Sequence, residues 1–485
     1  MTTFKLRATV AALAGIAMFG MVGSASADST DDLLKKLRDK GVLTEGEYDE
    51  FNATRDTEKV KKQSEIKASF KDGIVWESGD KQHKFSVNGR VQLDYRGFSE
   101  ENANNEADTW DIRRAYLSAK GTFYNNYDFE VTYNGANAAG SDLLYAWLNA
   151  RYWDGLQFKF GQFKQPFSME ELGSSRFLNF SERSFVTQLV PAVDRGMQIH
   201  GTPIKGMTYA VGVFNGMGAV NSAGQTANDT VVEADGKSYT GRITANIAEF
   251  MGNKEAVYHL GAAYSNTTEN HTTTALSLRS EGRGTNIMTT NGFTALGANN
   301  EGYDIKRTGL EGAVAYGPVK FQSEYIKAEY EPDGNTALVG GAVAGEEMEV
   351  KAWYASVNWL VTGENYADTY KDGMFGGRIK PKNEFVAPGA PGLGAWELGL
   401  RFSKFDASDF KAGNLADVYS TKLDGTAQDG KFNEAKSYTF GIKWIPNANV
   451  RYLLNYVKTD MDCVDGFICT DDEEKAINLR AQLDF

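Results

Sequence analysis

Residues 161–185 read GQFKQPFSMEELGSSRFLNFSERSF, and they bring three kinds of reactive side chain together. Glu170 and Glu171 are adjacent carboxylates, Ser174 and Ser175 adjacent hydroxyls, and Arg176 and Arg183 guanidinium groups. A carboxylate pair can hydrolyse a bond, and a serine can attack one if a base activates it. The sequence supplies little for such a base. Its four histidines, His83, His200, His259 and His271, are scattered without ligand or triad spacing. Neither G-x-S-x-G nor G-x-x-x-x-G-K-[ST] occurs. The remaining chemistry is ion recognition. An arginine fork gives paired, charge-assisted hydrogen bonds to an oxyanion and keeps its charge at any working pH. A carboxylate beside it repels the same anion unless a cation takes it up. This reading calls for no enzyme activity, cofactor or metal.

The rest of the chain must position these groups, and its pattern is a period of two. In FSVNGRVQLDYR, Phe85, Val87, Val91, Leu93 and Tyr95 share one face, and Ser86, Asn88, Arg90, Gln92, Asp94 and Arg96 the other. The alternation recurs in AYLSAKGTF, YDFEVTY, AWLNARY, LQFKFG, GRITANI, AWELGLRFS, SYTFGIKW, VRYLLNY and finally INLRAQLDF. Polar faces carry Arg90, Arg96, Arg114, Lys120, Arg151, Arg242, Arg401, Lys443, Arg451 and Arg480. Arg113 has the opposite parity on its strand and reaches inward only from the rim. Asp94, Asp128, Glu130, Glu311, Glu324, Glu397 and Asp484 stand on the same polar faces, so the basic residues are either an anion path or an ordinary charge-balanced lining.

Short turns at Asn125-Asn126, Asp154-Gly155, Lys205-Gly206, Gly317-Pro318 and Pro446-Asn447 alternate with long loops at 97–108, 216–237, 266–301 and 407–434. Residues 361–393 are irregular. Trp110, Tyr152, Trp153, Trp359, Trp396 and Trp444 fall near strand ends, where aromatic girdles belong. The mean hydropathy of -0.43 is what opposed apolar and polar faces average to. After the N-terminus no apolar run reaches the roughly 18 residues a membrane helix needs, so a membrane crossing has to be a closed barrel. The expected fold is all-β: an antiparallel transmembrane barrel of about 16 strands, preceded by a short helical segment.

Residues 1–27 have the form of a cleaved export signal, with Lys5 and Arg7, the apolar run Ala8 to Val22, and Ala25-Ser26-Ala27. Residues 28–67 read as a helical, coiled-coil-like periplasmic segment ending in the charged linker DTEKVKKQSEIK. Gly41 ends one helix, and Thr44 with Glu47 has capping-box spacing for the next. Its apolar stripe suits self-association or contact with periplasmic or cell-wall components. The barrel is expected over 68–485. Cys463 and Cys469 are the only cysteines, and their exported context suits a disulfide at a loop tip. A net charge of -13 excludes nucleic acid as a natural partner.

NGRVQLDY at 88–95, DIRRAYLSAKG at 111–121, GQFKQPFSMEELGSSRF at 161–177, AWELGLRFS at 395–403 and INLRAQLDF at 477–485 together resemble the phosphate-selective porins of the O and P type. The resemblance implies a 16-stranded barrel in the bacterial outer membrane, contacting its lipid. It further implies a homotrimer and a third loop folded inward to narrow a water-filled channel for small hydrophilic solutes. Under it, Arg114 matches an arginine pair toward the outer mouth, and Ser174, Ser175 and Arg183 match a constriction. Phosphate and other small anions become the expected permeants. Phe163, Phe167, Phe177, Phe180 and Phe185 suit anchors for such a loop. Glu170 and Glu171 depart from the pattern, because selective members place a lysine near the serine pair. Anion preference therefore turns on whether Arg176 or Arg183 neutralises these carboxylates. If neither does, a non-selective or cation-tolerant porin is the alternative.

Overall fold

A computed structural model describes residues 35–485 apart from 71–72, 100–107, 137–141, 217–235, 270–275, 285, 291–292, 296–302, 333–335, 339–346, 390, 412–414, 416–417, 422–426 and 465–471. The export signal read at 1–27, and residues 28–34 after it, lie outside the described residues. The chain divides into two units, residues up to Ile66 with Ser78–Asp80, and Lys67–Glu77 with Lys81–Phe485.

In the first unit, Gly41 takes a left-handed φ of 71° after a short helix, and the amides of Val42 and Leu43 close on the Leu37 carbonyl. Helix α1, Glu45–Ser64, then starts on a reciprocal capping box. The Thr44 amide donates to the Glu47 carboxylate at 2.8 Å, and the Glu47 amide donates to the Thr44 hydroxyl at 3.3 Å. The helix runs on through most of the segment read as a linker. Lys, Glu and Gln are good helix formers, so charge without Gly or Pro does not end a helix.

In the second unit, sixteen strands make the barrel: β1 Lys84–Phe98, β2 Thr109–Phe123, β3 Tyr127–Asn134, β4 Asp142–Trp153, β5 Leu156–Lys164, β6 Val193–Ile204, β7 Met207–Phe214, β8 Ser238–Asn246, β9 Ala256–Glu269, β10 Tyr303–Tyr316, β11 Val319–Pro332, β12 Met348–Leu360, β13 Ala395–Asp406, β14 Phe432–Ile445, β15 Val450–Cys463 and β16 Asp472–Asp484. Each pairs antiparallel with its neighbours in chain order, and β16 closes on β1 from Ala476↔Phe98 to Asp484↔Arg90. The last residue completes the seam. Phe485 and Gly89 exchange amide–carbonyl bonds at 3.1 and 2.7 Å, and a Cβ at Gly89 would lie 2.3 Å from the Phe485 ring. A hairpin of Ile66–Phe70 and Ile74–Ser78 adds to the turn-side end of β1, pairing Ile74↔Val87 through Glu77↔Lys84.

Burial is inverted relative to a soluble core, as lipid contact requires. On β16, Ile477, Leu479 and Leu483 are 42–49% exposed, while Asn478, Arg480, Gln482 and Asp484 are at most 4% exposed. Trp396, Trp444 and Tyr452 stack in a row at the turn-side rim. Cys463 ends β15 and is disulfide-bonded; Cys469 lies outside the described residues.

The inside is not an open tube. Residues 165–192 connect β5 to β6 through two single-turn helices, α2 Met169–Leu172 and α3 Val186–Leu189. Phe167, Phe185, Val186 and Leu189 from this connection pack with Leu278, Ile287 and Met288 of the next described long loop, and with Ile326, Tyr354 and Phe405 of the wall. Burying each large side chain stabilises by roughly 1.5–3 kcal/mol, so the connection is held as a packed body. The irregular stretch between β12 and β13 also has structure: a 3₁₀ turn, Tyr366–Thr369, and a hairpin of Tyr370–Lys371 with Met374–Phe375. It starts on the side of the short turns. Tyr366 packs with Val257, Ala315 and Leu360, and Arg242 donates to the Gly373 carbonyl at 2.7 Å.

Candidate constriction

Helix α2 is held by the wall opposite its own strand. Glu324 on β11 accepts from the Met169 and Glu170 amides at 2.9 and 2.8 Å, satisfying the free N–H groups of the first turn. Ser168 accepts from the Glu171 amide at 3.1 Å. Farther along, Asn455 on β15 accepts from the Ser181 amide at 2.7 Å. Phe180 lies over Gly399 and Gly441, which face each other on β13 and β14. A Cβ at either glycine would come within 3.0 Å of the Phe180 ring. Of the five phenylalanines read as anchors, Phe163, Phe167, Phe180 and Phe185 are buried. Phe177 is half-buried and lies 4.7 Å under the Arg451 guanidinium. Gly399→Leu removes the notch for Phe180. The expected result is a larger single-channel conductance with noisier open levels, read in planar bilayers beside wild type.

The carboxylates that threatened an anion path are taken up. Glu171 sits between Lys164 at 3.1 Å and Arg183 at 3.4 Å. Burial pushes its carboxyl up, but Arg183 and Lys164 outweigh burial and hold it below the usual range. Glu170 accepts from the Ser184 amide and hydroxyl at 3.1 and 2.6 Å, with Arg401 at 3.5 Å. Arg183 also donates to the carbonyls of Glu170, Glu171 and Gly173 at 3.0, 3.2 and 2.8 Å, so it staples the loop as well as balancing it. Arg176 points elsewhere. It reaches Asn88 at 3.1 Å and Asp484 at 3.5 Å, near the barrel seam. Ser174 is exposed, and its hydroxyl accepts from the Arg176 amide at 3.3 Å. Ser175 meets the wall through its carbonyl, which accepts from Gln92 at 3.2 Å.

The parity argument misplaces Arg113. A bulge interrupts the β1–β2 register after Gln92↔Arg114, and the next pair is Leu93↔Ile112. Arg113 is the extra residue, so it and Arg114 both turn inward. Arg113 forms a two-pronged pair with Glu182 at 2.8 and 3.1 Å, and Arg480 joins the same carboxylate at 3.1 Å. Burial raises the Glu182 carboxyl, but Arg113 and Arg480 outweigh it and hold it well below the usual range. Glu182, inside the SERS stretch, and Lys164, at the end of β5, join the ion pairs of this connection, and neither stands among the candidate residues drawn from the sequence. Their neighbours in sequence gave the signal, but their partners come from distant strands.

The remaining lumen arginines are mostly committed. Arg480 forks onto Asp94 at 2.7 Å twice, and Arg96 bridges Asp94 and Asp111 at 3.2 and 3.1 Å. Arg242 forks onto Glu311 at 2.8 and 2.6 Å. Arg401 meets Glu281 at 2.6 Å, and Arg451 meets Asp484 at 2.8 Å. Lys443 meets Glu397 at 2.9 Å. Toward the turn side, Lys120 pairs with Glu130 at 3.0 Å and Arg151 with Asp128 at 3.1 Å. Among the described residues, Arg90, Arg114, Lys159 and Lys320 have no carboxylate at ion-pair distance. Arg90 lies 4.3 Å over the Tyr116 ring, with Nε and Nη1 unbonded. Arg114 donates to the Gln92 amide oxygen at 2.9 Å, and Lys320 to those of Asn179 and Gln322 at 2.7 and 3.1 Å.

A closed barrel with an apolar outside, a charged inside and a connection packed across its lumen defines an outer-membrane porin. Residues 85–485 match the model of the family Phosphate-selective porin O and P, and the chain belongs to that family. It is 25% identical to Porin O of Pseudomonas aeruginosa over 445 residues, covering 84% of this chain and 91% of that one. Similar solved structures include the anion-selective porin from Comamonas acidovorans, at 10% identity and TM-score 0.46, covering 83% of this chain and all of that one. The outer membrane channel DcaP of Acinetobacter baumannii is another, at 10% identity and TM-score 0.47, covering 83% and 97%.

Proposed function

We propose that this porin passes small anions in preference to cations, phosphate among them, and that residues 165–192 set its narrowest point. The observation that carries the reading is a charge imbalance. Glu170, Glu171 and Glu182 are each matched by at least one cation, whereas Arg90 and Arg114 have none of the carboxylates to themselves. An ion in a hydrated narrowing responds to the charge left over after such pairing. Arginine forks suit the tetrahedral oxygens of phosphate. Conduction is passive diffusion without a chemical step. Homotrimeric assembly, which the family resemblance implies, belongs to the same proposal, and cross-linking of the purified porin tests it.

Reversal potentials in a salt gradient across a planar bilayer test the ion preference. The expected sign is anion-selective, with chloride current reduced by added phosphate. A cation-selective potential sinks the reading and returns the alternative of a general, cation-tolerant porin. An anion-selective potential without phosphate block confines the reading to small anions in general.

A further inference from the structure

The unpaired cations stand among aromatic rings that face the lumen. Tyr116 lies opposite Asn134, Tyr145 opposite Thr132, and Trp147 opposite Glu130. The alternation sets these three rings on the same side as Ser118 and Asn149, which are buried inside the barrel, while Leu117 and Leu148 face outward. Tyr145 and Trp147 are two residues apart on one face of β4, about 7 Å along the strand, and Tyr116 is two strands away, about 10 Å across the sheet. Arg90 stacks on Tyr116 at 4.3 Å, and the Lys159 ammonium lies 4.0 Å from the Trp147 ring. Among the described residues, the Tyr145 hydroxyl and the Trp147 N–H have no hydrogen-bond partner. Arg90 is 4% exposed with two donor nitrogens unbonded. Glu130 also stands in this row, but it is paired with Lys120 at 3.0 Å.

An inorganic anion has no use for the rings. The rings stand beside cations that carry no carboxylate partner, with their polar tips open to the lumen. A solute that joins a charged oxyanion to a flat ring uses both features: its anionic group meets Arg90 and Arg114, and its ring lies along Tyr145 and Trp147. We propose that the β2–β4 wall is a binding track for ring-bearing organic anions such as aryl phosphates. The inference rests on the anion preference proposed above and narrows the substrate class.

The test compares block of chloride current by methyl phosphate and phenyl phosphate through the full-length porin in planar bilayers. The two blockers carry the same charged group and differ in the ring. Half-block by phenyl phosphate is expected at about one tenth of the methyl phosphate concentration, the scale of one ring stacking on an aromatic side chain. Tyr145→Leu and Trp147→Leu should each bring the two concentrations together, and Tyr145→Phe should keep them apart. The ratio is read within each variant, and open-channel steps certify that the variant has folded. Equal block of the wild type by both compounds, with an anion-selective reversal potential, overturns the track alone. Retention of the full ratio in both leucine variants overturns it as well. A cation-selective reversal potential instead defeats the anion reading beneath it.

Discussion

Replacing Arg90 and Arg114 together by glutamine is expected to lower the anion-to-cation permeability ratio by about tenfold. A charge about 8 Å from the ion path is worth about 2 kcal/mol at an effective dielectric constant near 20, and salt at physiological strength screens part of it. About 1.4 kcal/mol corresponds to a factor of ten, so two charges suffice after screening. The change is clean because neither arginine leaves a carboxylate bare. Arg90 loses a contact with the Tyr116 ring, and Arg114 loses a neutral hydrogen bond to Gln92. Arg151→Gln is the comparison. Its partner Asp128 and its own side chain are both partly exposed on the turn side, where an ion pair is worth little, so the ratio should hardly move. Reversal potentials in a salt gradient measure all three proteins. A double variant as anion-selective as wild type would show that the selective charge lies elsewhere.

The barrel was legible because lipid and water impose a strict period of two, and every quoted alternating segment forms a strand. The turns with Asn, Gly and Pro were legible for the same local reason. What escaped was whatever depends on a departure from the period or on a distant partner. One extra residue at Arg113 reverses a parity argument, and no residue type announces a bulge there. The stretch between β12 and β13 has no period because it packs piecewise, Tyr366 into an apolar pocket and Gly373 against Arg242. The residue types of the β5–β6 connection stood in plain view in MEELGSSRF. Their pairing did not, because Arg401 reaches Glu170 across 231 positions of sequence while Arg176, six residues away, turns to Asp484.

Glu171→Gln is expected to lower the phosphate concentration for half-block by about threefold, one charge near the path against the two of the arginine variant. The amide keeps the shape of the loop, and Lys164 and Arg183 keep their carbonyl partners. Both cations then lack their carboxylate and become available to an anion. Arg183→Ala should act in the opposite direction. It leaves Glu171 with one cation, removes three bonds to loop carbonyls, and should raise conductance while weakening anion preference. Glu171→Lys should increase phosphate block less than a simple charge count suggests, because a third cation beside Lys164 and Arg183 repels both and loosens the loop. Acid provides an independent check. The Glu171 carboxyl is depressed in the folded protein, so the stability it contributes is present above the unfolded carboxylate range, about 4.3, and is lost as pH falls through the folded value. Glu182 follows the same sign. Glu281 runs the other way: burial pushes its carboxyl up despite Arg401, so it protonates first and adds to the positive charge. Anion preference should therefore rise in two stages as pH falls, with Glu281 first and Glu171 and Glu182 later, and the later stage should be smaller in Glu171→Gln. Wild type and Glu171→Gln with identical acid profiles would show that Glu171 has no influence on the ion path.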